Sequence, residues 1–363
     1  MRAAVFLFLC VARAAAFAAT AETGTAPAVI RTKDVVSRVA VTGATGRTGR
    51  LVVQELLERG VEVVAMVRDL EKANEIFSSK SERLTIQTCD LSSDKQIGES
   101  LQGCDAAIWC ATGFFDAPNE AFVAKIKRLV GVAETEAPKV SIDAVGIPSM
   151  AMCFSSVGDY PKIVMLSSAG VTRPSWDDAK AARFPGSAEI PIVRLNPFGI
   201  LGMKAEAEEK LRQSGVPFCV VRPAGLNDNW PAGSRPVFSQ GDMAVGRINR
   251  KDVARILADA LSTREASGKT FEAIALAGYP PADSIVPALE RLKKDTEGLP
   301  SDEILDATYA AMQQLLPGEK QDSTKIALGQ TYEQMDKNEE GRFGPRGAER
   351  VEEVTLQPSV GDN

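Results

Sequence analysis

Residues 38–69, RVAVTGATGRTGRLVVQELLERGVEVVAMVRD, restrict the fold of this chain more than any other stretch. Residues 39–41 are a short apolar run that stops at Thr42-Gly43. Gly43, Gly46 and Gly49 then recur at every third position. Leu51, Val52, Leu56 and Leu57 follow at helical spacing, Gly60 marks the helix end, and residues 61–67 form a second β-branched run. The order strand, glycine turn, helix, strand is that of a parallel strand pair crossed by a helix.

Each glycine in such a turn has its own physical task. Gly43 lets the chain leave the strand sharply, Gly46 lets the backbone approach a pyrophosphate, and Gly49 lets the helix pack close to the sheet. Thr45, Arg47 and Thr48 complete the turn, and the helix start offers free N–H groups and a partial positive charge to an anion. The expectation is a dinucleotide site, against the plainer reading of a structural turn. Arg68 closes the second strand, where an NAD site usually carries an acid for the ribose hydroxyls. With Arg47 it would place two guanidiniums beside a 2′-phosphate, so NADP is expected over NAD. The alternative has Arg68 in solvent and Asp69 on the ribose.

The chain has 363 residues and no histidine. That excludes His-ligated metals, Ser-His and Cys-His nucleophile pairs and any imidazole acid or base; no metal site is expected. A net charge of −6 argues against a nucleic-acid footprint. Cys10 lies in a presequence, which leaves Cys89, Cys104, Cys110, Cys153 and Cys219, none in a C-x-x-C pair. Buried reduced thiols are expected, with redox sensing as the alternative.

Residues 1–16 read as a signal peptide: Arg2 leads, residues 3–11 form a short apolar core, and residues 14–16 are alanines at a small-residue cleavage site. The apolar run is too short to span a membrane. Residues 17–37, opening on Phe17, read as a transit-like segment. Beyond the opening unit, apolar runs at 84–88, 106–110, 163–166, 218–221 and 270–276 read as strands. Residues 94–101, 201–214 and 251–261 read as helices, and 140–154, interrupted by Asp143 and Pro148, as a bent helix. Residues 114–132 are less regular. Residues 171–198, rich in Pro, Arg, Asp and Ala, read as a lid or binding loop. The alternation predicts an α/β fold, a doubly wound and mostly parallel sheet over residues 38–281. Ligands in such sheets bind beyond the carboxyl ends of the strands. Ala111, Thr112, Gly113, Ser167, Ser168 and residues 222–226 would gather there. Residues 282–336 read as a helical extension, with apolar faces at Val286, Leu289 and Leu292, then Leu305, Tyr309, Met312 and Leu316, and a third stretch at 326–335. Its helices are expected to dock on the main domain or on a partner, and residues 337–363 read as a loose charged tail.

These motifs together resemble the atypical short-chain dehydrogenase/reductase superfamily, specifically the NAD(P)-binding Rossmann proteins of the NmrA-like and chloroplast Tic-associated kind. Residues 42–49, 67–69, 89–91, 166–168, 204–215, 220–226 and 248–254 carry the resemblance, which covers roughly residues 38–276. It implies that Gly43, Gly46 and Gly49 hold the pyrophosphate, Arg68 the adenosine phosphate, and Asp90-Leu91 the edge of the adenine. Pro223 would border the cofactor, and Ser167 and Lys204 would stand nearest the nicotinamide ribose as candidate catalytic residues. The plainer alternatives are a hydrogen-bonded strand end for Ser167 and a surface helix lysine for Lys204. Catalytic members use Tyr-x-x-x-Lys, yet the tyrosine position before Lys204 is Ile200. Three functions follow as expectations: an NADPH-dependent reductase lacking that tyrosine, a non-catalytic NADP redox-sensing scaffold docking a protein partner through its C-terminal helices, or an isomerase or epimerase with tightly bound NADP. The presequence resembles the bipartite leaders of secondary, red-lineage algal plastids; secretion is the alternative.

Overall fold

The computed structural model describes residues 36–78, 81–116, 139–188, 190–196 and 199–315. The presequence, most of 114–132, the stretch at 326–335 and the charged tail lie outside the described residues.

The opening unit forms as its spacing requires. Strand β1 (Arg38–Thr42) leads through the glycine turn into helix α1 (Gly49–Glu58) and strand β2 (Glu62–Val67), which pairs with β1 in parallel. Helix α2 (Leu70–Ile76), β3 (Leu84–Thr88), α3 (Asp94–Ser100) and β4 (Ala106–Trp109) follow. A small antiparallel pair, β5 (Phe114–Asp116) and β6 (Lys139–Ser141), precedes α4 (Ile142–Ala151) and β7 (Ile163–Leu166). Short helices α5 (Asp178–Arg183) and α6 (Pro191–Leu195) lead to α7 (Ile200–Gln213) and β8 (Phe218–Pro223). Next come β9 (Gly225–Leu226), β10 (Arg235–Ser239), β11 (Arg247–Ile248), α8 (Arg250–Leu261), β12 (Lys269–Leu276), α9 (Val286–Leu289) and α10 (Asp302–Leu315).

Eight strands form one sheet in the order β10-β12-β8-β7-β4-β1-β2-β3. All neighbours are parallel except β10, which runs antiparallel to β12 at the edge. Both faces are covered, which explains why the strands read as unbroken apolar runs. Val39, Val41, Val63, Ala65 and Ile108 face α1 and α8, whereas Ala40, Val64, Met66, Ala107 and Trp109 face α3, α4 and α7. The chain order reverses between β1 and β4, whose neighbouring ends make the crevice of a doubly wound sheet.

Helix α4 lies unusually close to the sheet. A Cβ on Gly146 would stand 2.5 Å from the Trp109 ring and 2.7 Å from the Leu91 carbonyl oxygen. Pro148 sits inside this helix and deprives the Ala144 carbonyl of its helical donor. Lys210 Nζ of α7 donates to that carbonyl at 3.1 Å, so the break is filled by the neighbouring helix.

Two departures from expectation matter most to the packing. Strand β10 was not legible as a strand, and the described residues of 171–198, expected as a lid or binding loop, carry short helices. The chain there forms a 3₁₀ turn at Arg173–Ser175, then α5 and α6, and is strapped down by a buried arginine. Arg173 donates to the carbonyls of Asp242 (2.6 Å), Ser187 (2.6 Å) and Ala244 (2.7 Å). The described part of the extension packs on this same body. Ile285 and Leu289 join the core beneath β12, while Leu305 and Met312 of α10 bury against Phe184 and Met243. Arg183 pairs with Asp302 and Asp306, and Tyr309 donates to the Pro185 carbonyl.

Candidate functional site

The glycine turn is closed to side chains. Gly43 has φ +60°, and a Cβ there would lie 2.8 Å from the backbone of Ala111. A Cβ on Gly49 would lie 2.2 Å from the Gly43 carbonyl oxygen, and one on Gly46 3.0 Å from it. Gly46 N–H donates to the same oxygen at 2.8 Å, which tightens the turn. Thr42 Oγ1 accepts from the amides of Cys110 (3.2 Å) and Ala111 (3.3 Å) and so ties the end of β1 to the end of β4. Thr48 stands at the start of α1 with no side-chain cap; the Arg50 and Leu51 amides donate to the Gly46 and Thr48 carbonyls at 3.0 Å each, so an anion there meets the positive end of the helix at Gly49 and the turn before it. Thr45 is half-buried, Gly46 and Arg47 are exposed, and Thr48 is buried. This cradle, whose depth a Cβ would fill, fits a dinucleotide pyrophosphate.

Around it the other sequence-derived positions separate into groups. Arg68 is exposed at the end of β2. Asp69 caps α2, its carboxylate accepting Lys72 N–H at 3.0 Å. Arg47 stands 3.7 Å from Asp228, a carboxylate it shares with Arg250 at 2.8 Å. Asp90 is exposed and accepts from the Ser92 amide and hydroxyl, whereas the Leu91 side chain joins the core. Ala111 is buried at the end of β4 and Thr112 is exposed. Gly113 has φ +152°, and its carbonyl accepts from Ile142 N–H at the start of α4. Pro223 is buried at the end of β8, where its carbonyl accepts from Ala169 N–H.

Ser167 and Lys204 are brought to the end of β7. Lys204 Nζ lies 3.3 Å from Asp143 Oδ1 and 3.5 Å from the Leu166 carbonyl. Trp109 Nε1 donates to the same Asp143 oxygen at 3.1 Å. Ser167 Oγ donates to Glu208 Oε1 at 2.5 Å. Glu208 is fully buried, and Arg222 and Arg212 both reach it. Burial alone would raise the Glu208 carboxyl, but the Arg222 guanidinium, then Arg212 and the Ser167 hydroxyl, hold it below its ordinary value. Sequence reasoning missed Asp143, Glu208 and the pairing of Arg222. The available signal was an arginine within a buried strand, with Lys204, Glu208 and Arg212 four residues apart on one helix face.

A second buried acid lies beside this group. Glu272 on β12 is the cross-strand neighbour of Arg222 and accepts from Ser239 Oγ (2.9 Å) and Asp242 N–H (3.0 Å). Burial, then the Asp242 charge, push its carboxyl from 4.5 up to about 7, with Arg222, Ser239 and Arg173 opposing. An acid whose folded value is raised is stabilising below its unfolded value and loses that stability as pH rises through the folded one. Stability should therefore decline between about pH 4.5 and about pH 7. Glu272→Gln should flatten that decline and gain up to about 3 kcal/mol above pH 7, read from urea melts at several pH values.

The thiols divide: Cys89 and Cys219 are buried, Cys104 and Cys110 half-buried, and Cys153 exposed, against the expectation of buried cysteines throughout. Burial pushes the Cys110 thiol up to about 12, which keeps it protonated beside the crevice. Among the described residues no group of acids and cysteines could hold a metal ion, and no helix is long and apolar enough to cross a membrane.

Comparison with known proteins fits the geometry. The sequence matches the family described as NAD(P)H-binding over residues 43–264. The chain belongs to that NAD(P)H-binding family. Its relatives include an uncharacterized chloroplastic protein of Arabidopsis thaliana, 29% identical over 71% of this chain and 82% of its own length. Protein TIC 62, chloroplastic, of Pisum sativum is 28% identical over 61% of this chain; the match spans 39% of the pea protein. Sanguinarine reductase of Eschscholzia californica is 29% identical over 64% of this chain and 87% of its own length. The resemblance read from the motifs to atypical short-chain dehydrogenase/reductases of the NmrA-like and Tic-associated kind is thereby borne out.

Proposed function

We propose that this chain is an NADPH-dependent reductase that works without the usual catalytic tyrosine. The observation that carries this reading is the juxtaposition of Lys204, Asp143 and Ser167 at the end of β7, one strand beyond the glycine cradle. Gly43, Thr45, Gly46, Thr48 and Gly49 would hold the pyrophosphate, Arg47 would join Arg68 at the 2′-phosphate, and Asp90 and Leu91 would lie toward the adenine. Ala111, Thr112, Gly113 and Pro223 would line the path to the nicotinamide, which supplies hydride chemistry when bound. Ser167 and Lys204 would flank it. The decisive assay incubates the mature chain with NADPH and a panel of carbonyl and enone compounds, following cofactor oxidation. Turnover of any of them supports the reductase; micromolar binding with no turnover at all favours a redox-sensing scaffold.

The cofactor is proposed to be NADP rather than NAD. Asp69 is engaged as a helix cap, and Arg68 stands exposed where a ribose-binding acid would otherwise be. Arg68→Ala should weaken NADPH binding about 10-fold or more while leaving NADH within about twofold, since one charge-assisted contact is worth roughly 1.5–3 kcal/mol. An unchanged ratio in parallel fluorescence titrations would sink the assignment.

The plastid of a red-lineage secondary alga is the proposed destination, supported by the two-part presequence and by relatives that are themselves chloroplastic. A fluorescent fusion of residues 1–38 tests it, and appearance in the medium would overturn it in favour of secretion.

A further inference from the structure

The hydrogen-bond polarity at Ser167 is fixed from beneath. A serine hydroxyl carries one proton and two acceptor lone pairs. Here the proton goes to Glu208 Oε1, which also accepts Arg222 Nε at 3.0 Å. Glu208 Oε2 accepts Arg222 Nη2 at 2.5 Å and Arg212 Nη2 at 2.8 Å. Four donors therefore converge on one buried carboxylate that offers about four lone-pair sites. A carboxylate so surrounded by two guanidiniums carries no proton of its own and can only accept. The Ser167 hydrogen must then point inward, and only lone pairs are left to face a ligand.

Resting on the dinucleotide-binding reading above, we infer that Glu208 is a positioning residue that makes Ser167 an acceptor at the nicotinamide end of the crevice, leaving the Lys204 ammonium as the donor there. Ser167 receives an O–H or N–H, the chemistry of a ribose hydroxyl or a carboxamide amine, and disfavours a carbonyl or alkoxide oxygen. Lys204 has three N–H groups, two of them directed to Asp143 and the Leu166 carbonyl. Its remaining donor serves any oxygen that gains charge during a reaction. Glu208 does not touch the ligand; it acts through the orientation of one hydroxyl.

The test measures affinity, in the full mature chain, for two probes: NADPH, and adenosine 2′,5′-bisphosphate, which lacks the nicotinamide half. Ser167→Ala should weaken NADPH roughly 3- to 10-fold, the range of one ordinary hydrogen bond, and leave the bisphosphate within about twofold. Ser167→Cys, nearly the same size but a weak acceptor, should lose as much as the alanine variant. Glu208→Gln should weaken NADPH in the serine background and change nothing further in the Ser167→Ala background. A purely structural role for Glu208 gives the same loss in both backgrounds and overturns the inference. So does a Ser167→Cys variant with full NADPH affinity, which decides the matter even if Glu208→Gln does not fold. A wild-type chain that binds neither probe removes the dinucleotide reading and this inference with it. A wild type that binds both, with Ser167→Ala affecting neither or both alike, leaves the dinucleotide reading intact and removes this inference alone.

Discussion

Gly49→Ala is expected to abolish dinucleotide binding and to destabilise the fold by about 3 kcal/mol or more, at the upper end of overpacking costs. The added Cβ would stand 2.2 Å from the Gly43 carbonyl oxygen and 2.9 Å from its carbonyl carbon. Both are backbone atoms, so no rotamer change can relieve the contact. Either α1 moves away from the turn or the turn opens, and in both cases the cradle that the Gly43–Gly46 hydrogen bond now tightens loses its shape. The loss should exceed 100-fold in NADPH titrations, because several charge-assisted contacts to one pyrophosphate fail together. Gly202→Ala is the matched control. Gly202 is an exposed position inside α7 with nothing within 4 Å of its would-be Cβ. That substitution should be neutral or stabilising by about 1 kcal/mol. Equal NADPH affinity for Gly49→Ala and wild type would show that the turn does not hold the cofactor.

How much of this could be read from the sequence depends on what holds each element in place. The β1–α1–β2 unit was legible because three local signals agree: apolar runs, glycine spacing and a 3.6-residue stripe on α1. The sheet beyond it was legible because strands buried on both faces cannot hide their apolar runs. Strand β10 was not, since it lies on the sheet edge, where Pro236 is tolerated and only Val237 and Phe238 supply apolar bulk. Residues 171–188 showed no periodicity because polar bonds from Arg173 to three carbonyls, rather than an apolar stripe, fix their path. The candidate site was half legible. The cradle is local in sequence and was found; Glu208 and Asp143 were not. A carboxylate on an amphipathic helix ordinarily reads as its solvent face. Only the fold reveals that Glu208 faces Arg222, fourteen positions away on the next strand, and that Asp143 faces Lys204 across two helices.

Arg173→Met should cost about 3–5 kcal/mol, the range for removing one partner of a buried charge pair. Methionine keeps much of the stem volume but has no donor. Three buried carbonyls, of Asp242, Ser187 and Ala244, then lose their N–H partners, each a penalty of about 1–3 kcal/mol if unrelieved. The Asp242 carboxylate, 3.7 Å from Arg173 Nε, also loses the nearest positive charge, while Glu272 remains beside it. Asp242 keeps the Gly170 and Thr172 amides and the Thr172 hydroxyl, which limits the loss. The damage should start locally, because Arg173 ties residues 170–187 to 242–244, and α10 rests on that strap through Phe184 and Met243. Limited proteolysis of the variant should therefore cut within residues 176–190 before the sheet domain, and Trp176 fluorescence should change at lower urea than NADPH binding is lost. The glycine cradle belongs to β1, α1 and β4, whereas Arg173 ties residues 170–187 to 242–244, so cofactor affinity in buffer should stay within about threefold, less than one ordinary hydrogen bond. A destabilisation below about 0.5 kcal/mol, no more than a typical surface change, would mean that apolar packing of α10 holds the strap and Arg173 only fills space beneath it.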